Sequence, residues 1–235
     1  MSESQESNAS MGFPARLAGI FTAPSRVFEE LRRRPTWLAA LLAVTLVTAG
    51  LNALVLWSET GEKVVRQQFQ EAVEKTGREV PPETVDTQIA AYRYIGPASV
   101  IVVFPILTLA LSGLVYLIFG IVLGGEGTFR QTFSAYSHSC LIGIPGAAVA
   151  TGMIFLKGNA KSSTAVTAFL PFLEEDSFVY RFCQGLDLFV IWQLVVLSIG
   201  MGIIGRMSTR KSATAIFSVY LAIWLLITVV RQAMS

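Results

Sequence analysis

The chain reads as an all-α polytopic membrane protein: a bundle of five transmembrane helices preceded by an N-terminal interfacial amphipathic helix. Three observations carry that reading. Of 235 residues, 53% are hydrophobic and only 14% charged, against about 25% charged in a soluble domain. The mean hydropathy is +0.58. The apolar residues also gather into runs of about twenty, the length a helix rising about 1.5 Å per residue needs to cross about 30 Å of hydrocarbon. These features exclude a disordered chain, a disulfide-stapled secreted module and an ordinary water-soluble enzyme. The net charge is +2 with no continuous basic stripe, which excludes a nucleic-acid binder.

Residues 1–13 form a polar tail expected to be disordered. MSESQESNAS has no hydrophobic region, so no cleavable signal peptide is expected and the first span stays in the mature protein. Residues 14–35 then form an interfacial helical region. Leu17, Ile20 and Phe21 share one face, as do Val27, Phe28 and Leu31 after the break at Pro24. Arg26, Glu29, Glu30, Arg32 and Arg33 lie opposite, so Arg26, Arg32, Arg33 and Arg34 become candidates for contact with anionic lipid headgroups. Packing of the apolar face on the protein itself is the alternative.

Residues 36–235 form the membrane domain. Its first span runs over about Thr36–Trp57, bracketed by Trp37 and Trp57, which suit the two interfaces. The second covers about Ile95–Leu123, where Pro97 and Pro105 predict a kink or tilt. The third covers about Gln131–Leu156, the fourth about Leu186–Gly205 and the fifth about Ser212–Val230. The stretch Gly124-Gly125-Glu126-Gly127 supplies the tight turn between the second and third spans.

With the N-terminus inside, Lys and Arg divide nine inside against nine outside. Short loops near the membrane weigh most. Arg32, Arg33 and Arg34 directly precede the first span, while Arg206, Arg210 and Lys211 crowd a short connection. The N-terminus is therefore expected inside and the C-terminus outside. The outer loop over 58–94 carries a second amphipathic helix, with Val65, Phe69, Ala72 and Val73 at helical spacing. Glu62–Arg66 and Glu71–Lys75 form i,i+4 pairs, Gly77 suits the end, and Pro81-Pro82 opens the next helix. In the loop over 157–185, Phe169, Leu170, Phe172 and Leu173 stand beside Glu174, Glu175 and Asp176. This loop is expected to fold back on the membrane surface or to cover the outer mouth of the bundle.

Few residues carry chemistry. His138 is the only histidine and lies within the third span, with Ser134, Tyr136 and Ser137 nearby. An ionisable group at that depth points to a proton relay or substrate contact; a hydrogen bond across helices is the structural alternative. Asp187, at the outer end of the fourth span, suits a helix cap. Asn52 and Gln193 are polar positions within spans, and Asn52, His138 and Gln193 together would suit a transport path. Pro145-Gly146 is expected to kink or break the third helix.

One histidine cannot build a multi-histidine zinc site, and His-Glu-x-x-His, Gly-x-Ser-x-Gly and the nucleotide-binding Gly-Lys-Ser/Thr loop are all missing. Cys140 and Cys183 fit neither a metal spacing nor a disulfide framework. The chain is therefore expected to be no enzyme and to need no cofactor or metal. Small-xxx-small pairs at Gly143–Ala147, Gly146–Ala150, Ala148–Gly152, Ser198–Gly202 and Ser218–Ala222 predict close helix packing.

Three stretches together carry a resemblance: GIFTAPSRVFEELRRRPTWLAALL, GGEGTFRQTFSAYSHSCLIGIP and DLFVIWQLVVLSIGM. Their order and spacing, over about residues 14–231, resemble the Yip domain family (the Ypt/Rab-interacting-protein type) in its prokaryotic branch. The resemblance implies five spans, a cytoplasmic N-terminus and residence in the prokaryotic cytoplasmic membrane. In eukaryotic relatives it implies non-enzymatic roles in vesicle trafficking, small-GTPase contact and membrane shaping. The Asp-Leu-x-Gly-Pro signature is missing, with Tyr94-Ile95-Gly96-Pro97 faintly like it. Ala135-Tyr136-Ser137-His138 stands for Tyr-Gly-Tyr-Ser. Two functions follow: an organiser of membrane or partner proteins, or a small transporter or accessory permease subunit. The expected partners are the lipid bilayer, other membrane proteins or further copies of the chain.

Overall fold

The computed structural model describes residues 10–76, 81–158, 164–170, 172–174 and 177–233. Most of the polar tail, Gly77, Glu175 and Asp176 lie outside the described residues, as do the side chains of Ala72, Lys75 and Phe169. Among the described residues there is no strand, only an isolated bridge between Ala165 and Asp187. Ten α-helices follow one another among the described residues: α1 Phe13–Thr22, α2 Pro24–Arg33, α3 Leu38–Leu56, α4 Glu59–Thr76, α5 Pro82–Tyr116, α6 Phe129–Ser139, α7 Gly143–Lys157, α8 Phe178–Cys183, α9 Leu188–Ile204 and α10 Thr209–Ala233. Four helical stretches are long and apolar enough to cross a membrane: Leu38–Leu56, Glu83–Val122, Phe129–Lys157 and Thr209–Ala233. Leu188–Ile204 is a shorter apolar helix. The protein is a polytopic α-helical membrane protein.

Two boundaries differ from the sequence expectation, for physical reasons. Helix α5 starts at Pro82, well before the apolar run, and continues into a π-helix over Leu117–Val122. Hydropathy marks where lipid begins, not where helical hydrogen bonding begins, and Pro82 at the first helical position is compatible with an early start. Pro97 and Pro105 lie inside the uninterrupted helix. In the third span, the break falls over Cys140–Ile142, a 3-10 turn, and not at Pro145-Gly146. Proline clashes with the carbonyl four residues earlier, here that of Leu141. The distortion therefore sits in the preceding turn, and Pro145 occupies the first turn of α7, where its missing N–H costs nothing.

The contacts group the chain into two units. One comprises Met1–Ala43, Thr108–Ile142 and Trp192–Ile223; the other comprises Val44–Leu107, Gly143–Ile191 and Trp224–Ser235. In the first unit, α1 and α2 form a hairpin through Ala23, each opened by a proline. Gly19 is required at their crossing, because a Cβ there would stand 2.7 Å from Val27 Cγ2. The hairpin's apolar face is spent on protein: Ile20, Val27, Phe28 and Leu31 are all fully buried. Phe28 fills a socket at Gly200 of α9, where a Cβ would meet its ring at 2.7 Å. Phe21 meets Trp192 edge to face at 5.7 Å. Gln131 of α6 donates to the Arg32 carbonyl at 2.7 Å.

In the second unit, α4 packs on the early turns of α5 through Leu56, Val65 and Ile89, with Phe69 and Val85 beside them. Glu62 bridges Arg66 at 3.2 Å and Arg93 at 2.7 Å, and Asp86 pairs with Arg66 at 2.9 Å. Hydrogen bonds that Arg66 donates to Asp86 and Glu62 raise its guanidinium above its ordinary value, so it stays charged at any physiological pH. Small residues serve mainly as sockets for side chains. Gly146 receives the Phe189 ring and Gly185 the Trp224 indole, whereas Gly143 and Gly152 face open space.

Phe28→Ala removes the plug from the Gly200 socket and should cost about 3–5 kcal/mol. Thermal unfolding in mild detergent reads this as a clear drop in melting temperature, whereas Leu221→Ala on the exposed face of α10 should leave it nearly unchanged. Equal melting of Phe28→Ala and the parent protein would contradict the assigned seat.

Candidate functional site

The densest buried polar group is on α6. The helix begins with a capping box: the Thr128 side chain accepts from the Gln131 N–H, and Gln131 Oε1 accepts from the Thr128 N–H at 2.8 Å. Thr-x-x-Gln is a legible start signal that the sequence analysis passed over. Thr132, Ser134, Ser137, His138 and Ser139 are all buried. Most of their hydroxyls are satisfied by their own helix: Ser134 donates to the Arg130 carbonyl at 2.7 Å, Ser137 to Phe133 at 2.8 Å and Ser139 to Tyr136 at 2.7 Å. Such back-bonding leaves these groups little capacity for a ligand.

His138 is different. Its Nδ1 lies 2.9 Å from the Ser134 carbonyl, and a carbonyl only accepts, so Nδ1 carries the hydrogen. Nε2 is buried without a partner among the described residues. Arg16, also buried, lies on α1, which packs against α6 and the 3-10 turn after it. It donates through Nη1 to Thr36 Oγ1, while its Nε has no partner. Sequence reasoning missed Arg16. The available signal was its place one turn before Ile20, on the buried side of α1.

The other candidates fall in distinct settings. Tyr136 is half-buried one turn before Cys140, and Gln193 of α9 donates to Cys140 Sγ at 3.4 Å. No hydrogen bond joins Gln193 to His138 among the described residues. Asn52 belongs to the second unit, where its Oδ1, buried without a partner, faces Gly96 of α5. Asp187 caps α9, its Oδ1 accepting from Phe189 N–H at 2.8 Å and Val190 N–H at 3.1 Å, while Oδ2 accepts from Thr164. Arg26, Arg33 and Arg34 are exposed, and Arg32 is half-buried with an unpartnered Nε. Among the described residues, no group of three or more His, Cys, Asp or Glu side chains is placed to hold a metal ion.

Long apolar helices carrying a buried polar group and a helical hairpin packed against them define an integral membrane protein of the multi-pass helical class. The chain belongs to the Yip1 family: the Yip1 domain matches residues 18–231. It is 24% identical over 207 residues to a protein of Bacillus subtilis (strain 168) described as "Membrane protein YknW", an alignment covering 86% of this chain and 85% of that one. No solved structure matches the chain significantly.

Asp187→Ala removes the α9 cap and should cost about 0.5–2 kcal/mol. Hydrogen exchange should quicken at the Phe189 and Val190 amides, and Asp187→Asn should restore most of their protection.

Proposed function

We propose that the protein is a non-enzymatic organiser of membrane components. It sits in the cytoplasmic membrane with its N-terminus inside and its C-terminus outside, and it engages partner proteins or further copies of itself through the surface presented by α1 and α2. One observation carries this reading. Ile20, Val27, Phe28 and Leu31 of the hairpin's apolar face are buried on protein, with Leu17 and Phe21 half-buried, which leaves Arg26, Arg33 and Arg34 as the exposed side. The same unit carries exposed Arg130, Arg206, Arg210 and Lys211. Its segments hold nine Lys/Arg against five Asp/Glu, a formal +4, whereas the other unit holds nine against eleven, a formal −2. Each basic residue near an anionic leaflet contributes about 1 kcal/mol, and basic loops face the cytoplasm. Helix α9, about 25 Å long at about 1.5 Å per residue, completes five crossings in this reading. The Yip1 family assignment supports a membrane protein.

The transport reading draws on a separate observation, the 3-10 break over Cys140–Ile142 between His138 and the helix that follows it. It requires a flux that His138→Ala abolishes in a protein that still folds.

Cysteine labelling in intact cells tests the orientation in a background where Cys140 and Cys183 are Ser. A cysteine at Lys63 should react with an impermeant maleimide, and one at Ser208 should react only after the membrane is opened. The opposite pattern refutes the orientation. A mild-detergent pull-down with mass spectrometry tests the organiser role. A stoichiometric protein partner or a defined homo-oligomer is expected. The triple change Arg26→Gln, Arg33→Gln and Arg34→Gln, which spares the buried face, should reduce the association severalfold. A chain that elutes alone, or an association the triple change leaves intact, counts against the reading.

A further inference from the structure

Two buried groups in the first unit lack what their chemistry requires. Arg16 keeps 9% of its surface and His138 keeps 1%. No carboxylate among the described residues is ion-paired with Arg16, and its Nε has no hydrogen-bond acceptor. Burying a guanidinium without a counter-charge costs several kcal/mol. Ser134 and Ser137 bond their own helix and His138 Nε2 is neutral, while Glu30 of α2, whose Oε1 is buried without a partner, is not ion-paired with Arg16 among the described residues. Neither His138 Nε2 nor Arg16 Nε has a hydrogen-bond partner among the described residues, so the imidazole does not satisfy the guanidinium.

On its Nη1 side Arg16 bonds a residue at the surface. Thr36, which accepts from Arg16 Nη1, is exposed and stands between exposed Arg34 and half-buried Trp37, immediately before α3. Aromatic residues that open a span mark the level of the lipid headgroups. A hydroxyl that accepts from Arg16 keeps its own hydrogen to donate.

We propose that Arg16 and Thr36 bind the phosphate group of an anionic phospholipid headgroup. The planar guanidinium fork matches two phosphate oxygens, and the Thr36 hydroxyl donates to the same group. The inference rests on the membrane-embedded reading above. It does not depend on any protein partner, because lipid retention is measured on the isolated chain.

Native mass spectrometry of the full chain in mild detergent tests it, with phosphatidylglycerol, phosphatidylcholine and inorganic phosphate as probes. One phosphatidylglycerol should be retained in preference to phosphatidylcholine. Occupancy should fall about tenfold or more in Arg16→Gln, as expected for loss of a charged hydrogen-bond pair, and stay intermediate in Arg16→Lys, which keeps the charge without the fork. Arg210→Gln, away from the site, should match the parent. Undiminished retention in a folded Arg16→Gln overturns the proposal. If that variant does not fold, undiminished retention in Thr36→Val overturns it equally. Binding of inorganic phosphate without phosphatidylglycerol overturns the lipid source.

Discussion

The packing of Phe28 into the gap left by Gly200 is the contact on which the arrangement of the first unit depends. A side chain at position 200 would occupy the space of the ring, and without the ring α2 would lose the anchor between Val27 and Leu31. With α2 held, the Arg32 carbonyl meets Gln131, which is itself part of the capping box that starts α6. The N-terminal segment is thus structural material of the membrane domain, and its charged face is what it offers outward. In hydrocarbon there is little hydrophobic gain from helix association, so shape complementarity of this kind carries the packing.

The second unit solves a different problem. Helix α5 extends past its apolar run by more than three turns, and those turns are polar enough to need company in water. Helix α4 supplies it through a small core around Val65 and Ile89, and the Glu62–Arg66–Asp86–Arg93 ion pairs close its polar side. Exposed pairs of this sort contribute little each. Their value lies in fixing the register of α4 against α5, since Glu62 contacts two arginines that are far apart in sequence.

Much of this was legible in the residues. Runs of twenty apolar side chains, the amphipathic repeat over Val27, Phe28 and Leu31, and the glycine turn at 124–127 all announce themselves through local chemistry. The site was less legible, because its chemistry is relational. Arg16 looks like an ordinary surface arginine until α1 is laid against α6, and the serines around His138 look like a polar lining until their hydroxyls are traced to their own helix. The same holds for the glycines: spacing identified Gly146 and Gly143 alike, but only Gly146 has an aromatic ring to receive. The break ahead of Pro145 was displaced by one turn because a proline disturbs the carbonyl four residues before it.

Phe28 and the glycine that receives it are separated by most of the chain, and this imposes an order on biosynthesis. At about 5–20 residues per second, the ribosome needs roughly ten to thirty seconds to make what lies between them. During that interval the hairpin has been made but its dock has not. Val27, Phe28 and Leu31 of α2 then lack the seat that they fill in the complete chain. The docked hairpin therefore belongs to the finished chain, because the glycine of α9 that receives Phe28 is made long after the hairpin itself.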